Sequence, residues 1–155
     1  MANRFMGRAV DLAVENARAG RGGPFGAVVV RDGEIVAEGT NLVTSTNDPT
    51  AHGEVVAIRE ACRRLGTFDL AGCEIYTSCE PCPMCLAAIY WARLERVYYG
   101  AGRVDAARFG FDDERIYEEL GRAARERSIP METLMRDEAI EAFRVWESLP
   151  DKTEY

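Results

Sequence analysis

A chain of 155 residues, 47% hydrophobic and 29% charged, is long enough to bury a real core and has the composition of one globular domain. No apolar run approaches the about 20 residues of a membrane span, and "MANRFMGRAVDLAVENARAG" carries charges throughout without a signal-peptide core. The expectations are therefore a cytoplasmic protein with no membrane partner. A net charge of −7, with Lys152 the one lysine among 19 basic residues, argues against a nucleic-acid partner, because phosphate binding needs a concentrated basic surface.

Met6, Ala9, Val10, Ala13 and Ala17 recur at helical spacing and predict a first helix over about Phe5 to Ala19, ended by "RGG". In "FGAVVVRDGEIVAEG", Asp32-Gly33 between two β-rich runs is a hairpin signal. Asp48-Pro49 reads as a helix start, and Val55, Ile58, Cys62 and Leu65 share one face of the helix that follows. "CEIYTS" reads as a strand, "CPMCLAAIYWARL" as a helix, "RVYYGAG" as a strand, "IPMETLM" as one more strand, and "DEAIEAFRVWESL" as a last helix. No repeat, low-complexity tract or linker interrupts the chain, so residues 1–155 are expected to form a single domain. The interleaved order predicts an α/β fold with a mixed five-stranded sheet between helices on both faces.

The five cysteines are an odd number, and three of them cluster in "SCEPCPMC" as Cys79, Cys82 and Cys85. In a cytosolic protein that clustering favours metal or redox chemistry over disulfide staples. His52, the single histidine, lies with Glu54 at the predicted opening of one helix, and Cys82 and Cys85 lie at the opening of the next. Each helix follows a strand region, so both N-termini can meet at one sheet edge. Cys82 and Cys85, three apart, share a helix face, and the positive ends of two helices favour thiolates. Two thiolates and one imidazole are three ligands for zinc, which takes four and leaves one place for water.

Other readings of the same letters stay open. A closed structural zinc site would use His52, Cys79, Cys82 and Cys85. A redox pair would use Cys79 with Cys82, or Cys82 with Cys85, and would leave Glu54 unexplained. Glu54 separates structure from catalysis, since a hydrolytic site needs a proton shuttle next to the metal and a structural site does not. Outside a ligand role, Cys79 reads as a packed small residue.

His52-Gly53-Glu54 followed by Pro81-Cys82-Pro83-Met84-Cys85 matches the H-x-E…P-C-x-x-C signature of zinc nucleobase deaminases. Through these motifs the sequence resembles the cytidine-deaminase superfamily. Through "GGPFGAVVV", "NDPTAH-E", "YTSCEPCPMC", "AIYWAR", "GFDD" and the final "EY" it resembles, more closely and almost end to end, the bacterial guanine deaminases. The resemblance implies a three-layer α/β/α cytidine-deaminase-like fold and zinc held by His52, Cys82 and Cys85, with Glu54 shuttling protons. It also implies guanine contacts from Asn41 and Asp113 and aromatic pocket walls from Phe25 and Trp91. A homodimer is implied too, in which the C-terminal tail, about residues 138–155, is swapped so that Tyr155 closes the neighbour's pocket.

The chemistry of the residues is compatible. A carboxylate accepts from ring N–H groups, an amide both gives and accepts, and aromatic faces stack on a flat base. Each residue also has a plainer use: Phe25 and Trp91 as core, Asp112 or Asp113 as a helix cap, Asn41 in a turn. The resemblance departs at Gly53, where the family commonly has Ala. The expected reaction is zinc-dependent hydrolytic deamination of guanine to xanthine and ammonia. The rivals are deamination of guanosine, cytosine, cytidine or an aminated triazine, a tRNA adenosine deaminase, and a non-enzymatic interaction protein stabilised by structural zinc.

Overall fold

Asn3 opens the first helix: its Oδ1 accepts the backbone N–H groups of Phe5 and Met6 and so caps α1 (Arg4–Arg18). This is seen in the computed structural model, which describes residues 3–155. The face that α1 buries is Ala9, Leu12, Ala13 and Asn16. It is rotated from the expected stripe, since Val10 is 42% exposed and a polar residue, Asn16, is fully covered.

β1 (Gly26–Arg31) and β2 (Glu34–Thr40) form the expected hairpin. Asp32 and Gly33 take φ of 51° and 77°, the positive-φ pair that matches a two-residue turn to strand twist. The short helix α2 (Val43–Thr46) follows, and then α3 (Gly53–Leu65). Asp48 does not start α3: its carboxylate accepts from the Thr50 backbone and hydroxyl, a local turn that precedes the helix. The chain continues through β3 (Cys73–Cys79), α4 (Pro83–Trp91), β4 (Arg96–Ala101) and α5 (Arg103–Arg108).

The sheet order is β2-β1-β3-β4, with β1 antiparallel to both β2 and β3, and β3 parallel to β4. Alternation along β1 sends Ala27 and Val29 to one face, against Ala57 and Ala61 of α3 and Ile89 of α4. Val28 and Val30 go to the other face, against Leu12 of α1 and Tyr76 of β3. Helices therefore cover both faces of a mixed sheet. Because β2, β3 and β4 run the same way, their C-terminal ends share one edge with the start of β1. That edge carries the candidate site.

The chain divides into two compact units, one ending at Asp113 and the other running Glu114–Tyr155. The second contains α6 (Glu114–Gly121), a 3-10 turn (Ala124–Glu126) and α7 (Arg136–Ser148). The sheet has four strands among the described residues, not the expected five, because "IPMETLM" (residues 129–135) forms no strand. Pro130 lacks a donor for a ladder, and Ile129 and Leu134 are 78% and 79% exposed, so no buried face holds the alternation in place. Among the described residues no helix is long and apolar enough to cross a membrane.

Candidate functional site

His52 is the N-cap of α3, and Cys82 is the N-cap of α4, with Cys85 in its first turn. Neither N-cap side chain makes a capping hydrogen bond to its helix. The ligand atoms of His52, Cys82 and Cys85 lie within 4.8 Å of one another. His52 Nδ1 is 3.6 Å from Cys82 Sγ and 3.5 Å from Cys85 Sγ. Tetrahedral zinc, with nitrogen and sulfur at about 2.05 and 2.3 Å, requires an N···S separation of about 3.6 Å. The donor types and their spacing thus fit zinc.

The electrostatics favour a cation in the same place. The Cys82 thiol is pushed down to about 4, first by the hydrogen bond from Cys85 and also by His52, against the cost of burial. Cys85 is pushed up by that same hydrogen bond, and His52 is raised by its bond to Cys82. Cys79 stays outside the cluster. Burial, with the Glu54 carboxylate nearby, pushes its thiol up to about 11.

Glu54 lies in the first turn of α3, two residues past His52, and is 8% exposed. Burial raises its pKa, and the Cys82 charge adds to the shift while His52 opposes it. A buried carboxyl beside a metal site is suited to general acid–base work.

The rest of the site edge comes from three loops. Phe25 immediately precedes β1 and stands edge-on to Phe111, with ring centroids 4.9 Å apart. Asn41 directly follows β2 and is buried. Its Oδ1 accepts the N–H groups of Gly23 and Val43, both at 3.2 Å. The amide's accepting end is thus committed to the loops, and the expectation that it both gives and accepts narrows to giving. Asp113 is half-buried, and its pKa is raised chiefly by desolvation, with the Cys82 charge contributing.

The structure therefore gathers His52, Glu54, Cys82, Cys85, Phe25, Asn41 and Asp113 at one edge of the sheet. Trp91 closes the far end of α4, nine residues beyond Cys82, and is 68% exposed. Tyr155 belongs to the second unit and is exposed. Sequence reasoning missed Phe111, Ser78 and Asn16. Ser78 Oγ accepts the Gly26 N–H at 3.1 Å and ties the start of β1 to the end of β3. A polar residue on the buried stripe of α1 was the available signal for Asn16.

Gly53 marks a closer approach than most side chains meet, but a yielding one. A Cβ there would sit 3.3 Å from Phe25 O and 3.5 Å from Gly39 O, a contact relieved by a shift of a few tenths of an ångström. Gly53→Ala is expected to change stability by no more than about 1 kcal/mol, since helix propensity gains what the tight contact loses, and to retain zinc. Thermal melts with metal analysis check this, and loss of zinc would contradict it.

Residues 1–101 match the family model for the cytidine and deoxycytidylate deaminase zinc-binding region. Guanine deaminase of Bacillus subtilis is 56% identical over 151 residues, 97% of each chain. An X-ray structure of guanine deaminase from that organism superposes with a TM-score of 0.96 at 54% identity, covering 100% of this chain and 99% of that one. The tRNA-specific adenosine deaminase of Aquifex aeolicus is 50% identical over 78 residues, 50% of this chain and 52% of that protein. The two thiols, the imidazole and the neighbouring carboxylate all fall inside the span of that family model, and the chain belongs to the cytidine and deoxycytidylate deaminase zinc-binding family.

Proposed function

We propose that the protein hydrolyses guanine to xanthine and ammonia. The observation that carries this reading is the end-to-end likeness to a guanine deaminase, where the tRNA deaminase likeness spans half of the chain. His52, Cys82 and Cys85 hold the metal. Zinc, when bound, acts as a Lewis acid that makes water a competent nucleophile at neutral pH.

The remaining work falls to the chain's own groups. Glu54 takes one proton from the attacking water and gives it to the ring nitrogen, then takes the second proton from the new ring hydroxyl and gives it to the amine, which leaves as ammonia while the carbonyl forms. Asn41 donates from Nδ2 to an acceptor on the ring, and the Asp113 carboxylate accepts from ring N–H donors. Phe25 stacks on the base, a contact worth about 1–3 kcal/mol; the family resemblance implies a pocket role for Trp91, which in this chain lies at the far end of α4.

Ammonia release by the zinc-loaded protein from guanine, guanosine, adenine, cytosine, cytidine and an aminated triazine tests the substrate. Guanine is expected to be turned over at least about tenfold faster than any other, a discrimination within reach of a few oriented hydrogen bonds. Preference for another ring would overturn the guanine assignment and leave the metal site standing.

The working form is proposed to be a cytoplasmic homodimer in which residues 1–155 act as one deaminase domain. Its tail, about residues 138–155, is exchanged so that Tyr155 covers the neighbour's pocket. Phe143, Val145, Trp146 and Leu149 support this, being 71%, 53%, 40% and 45% exposed along the end of the chain. The expected mass by sedimentation equilibrium is that of a dimer. A fully active monomer would refute the exchange.

A further inference from the structure

Asn16 is a fully buried amide on the packed face of α1, among Ala9, Leu12 and Ala13. Burying an amide is unfavourable unless its polar atoms are paired. Here all the pairing goes to two loops. Nδ2 donates to Gly23 O at 2.9 Å and to Asn41 O at 2.8 Å, and Oδ1 accepts from Arg21 Nε at 3.3 Å. Those loops carry Phe25 and Asn41. Gly22 allows the close approach, since a Cβ at that position would stand 2.1 Å from Asn41 O.

The clamp has a consequence for the Asn41 side chain. With its backbone fixed by Asn16, Asn41 Oδ1 receives two N–H groups, from Gly23 and Val43. Turning the amide over would set its NH₂ against both donors, so one orientation survives. Nδ2 is the end left to address a ligand. α1 thus reaches the Asn41 loop through the Asn16 amide.

We infer that Asn16 is a positioning residue for base recognition: through the Gly23 and Asn41 backbones it holds the Asn41 amide as a donor toward a hydrogen-bond acceptor on the substrate ring. The inference rests on the proposed guanine reading for the identity of that ring.

The test compares three zinc-loaded variants with the unaltered protein. Asn16→Ala removes the clamp. Leu12→Ala, on the same face of α1, controls for lost stability alone. Asn41→Asp keeps an oxygen for the Gly23 and Val43 N–H groups and replaces the donor. Native-state hydrogen exchange at the Gly23 and Val43 amides is expected to speed up at least about tenfold in Asn16→Ala, relative to the β1–β3 ladder, and not in Leu12→Ala. KM for guanine is expected to rise about tenfold in Asn16→Ala with kcat within about twofold, the pattern of a lost ground-state contact. Asn41→Asp should raise KM while leaving the two amides protected.

Unchanged exchange at Gly23 and Val43, an unchanged KM, or equal effects in Leu12→Ala would each overturn the inference. Should Asn16→Ala fail to fold, Asn16→Ser, which keeps one donor, takes its place under the same criteria. Should the unaltered protein not turn over guanine, the substrate reading fails by itself. Exchange, and KM for whichever base of the panel is turned over, then decide the role of Asn16.

Discussion

Glu54→Gln is expected to keep its zinc and lose about 10²- to 10⁴-fold in turnover, the range that a positioned general acid–base supplies. The substitution preserves size and leaves His52, Cys82 and Cys85 in place, so it separates proton transfer from metal binding. Two features make Glu54 the candidate. It sits two residues past a ligand, on the first turn of α3, and it is 8% exposed. Burial also raises its pKa, because desolvation disfavours the charged carboxylate. A glutamine of the same shape neither accepts nor delivers a proton. Ammonia release normalised to zinc content is the measurement, and near-normal turnover would remove Glu54 from the mechanism.

Gly39→Ala is expected to destabilise the fold and weaken zinc binding together. Gly39 is in β2, where α3 crosses it with backbone against backbone. A Cβ there would lie 2.2 Å from Gly53 O and 2.4 Å from Ala57 N. Neither atom is the end of a flexible side chain, so the whole first turn of α3 has to move. Overpacking of this kind costs about 1–3 kcal/mol or more. The same turn carries Glu54 and follows directly on His52, whereas Cys82 and Cys85 belong to α4. Lifting α3 therefore pulls one ligand from the other two. Gly53→Ala, whose new methyl meets nothing closer than 3.3 Å, is the contrast. Denaturant melts and zinc titration should show a large joint loss in Gly39→Ala and little in Gly53→Ala. A Gly39→Ala protein with normal zinc affinity would show that α3 is not held by this contact.

Much of the site is local in origin and therefore legible in the residues alone. His52 with Glu54, and Cys82 with Cys85, are pairs two and three residues apart, so a helix start by itself brings each pair together. The Asp32-Gly33 turn is equally local, because two residues with positive φ determine it. The start of α3 was misplaced because Asp48 caps a turn of its own rather than a helix, and the two uses share a side chain.

What the tertiary structure alone decided depends on contacts between distant residues. The union of the two motif halves across 30 residues follows from β1 lying antiparallel between β2 and β3, which brings their ends to one edge. The strand expected at residues 129–135 had suitable letters, but a strand exists only where another backbone accepts its hydrogen bonds, and none does so among the described residues. The accepting end of Asn41 is used by Gly23, 18 residues away, and its backbone by Asn16, 25 residues away. The sequence by itself determined the metal ligands, the carboxylate beside them and the helices and hairpin that present them, because those depend on neighbours in the chain. Which way the Asn41 amide points, and which residue of α1 holds it there, was decided only by the fold, because a buried hydrogen bond is made by whatever the packing brings within 3 Å.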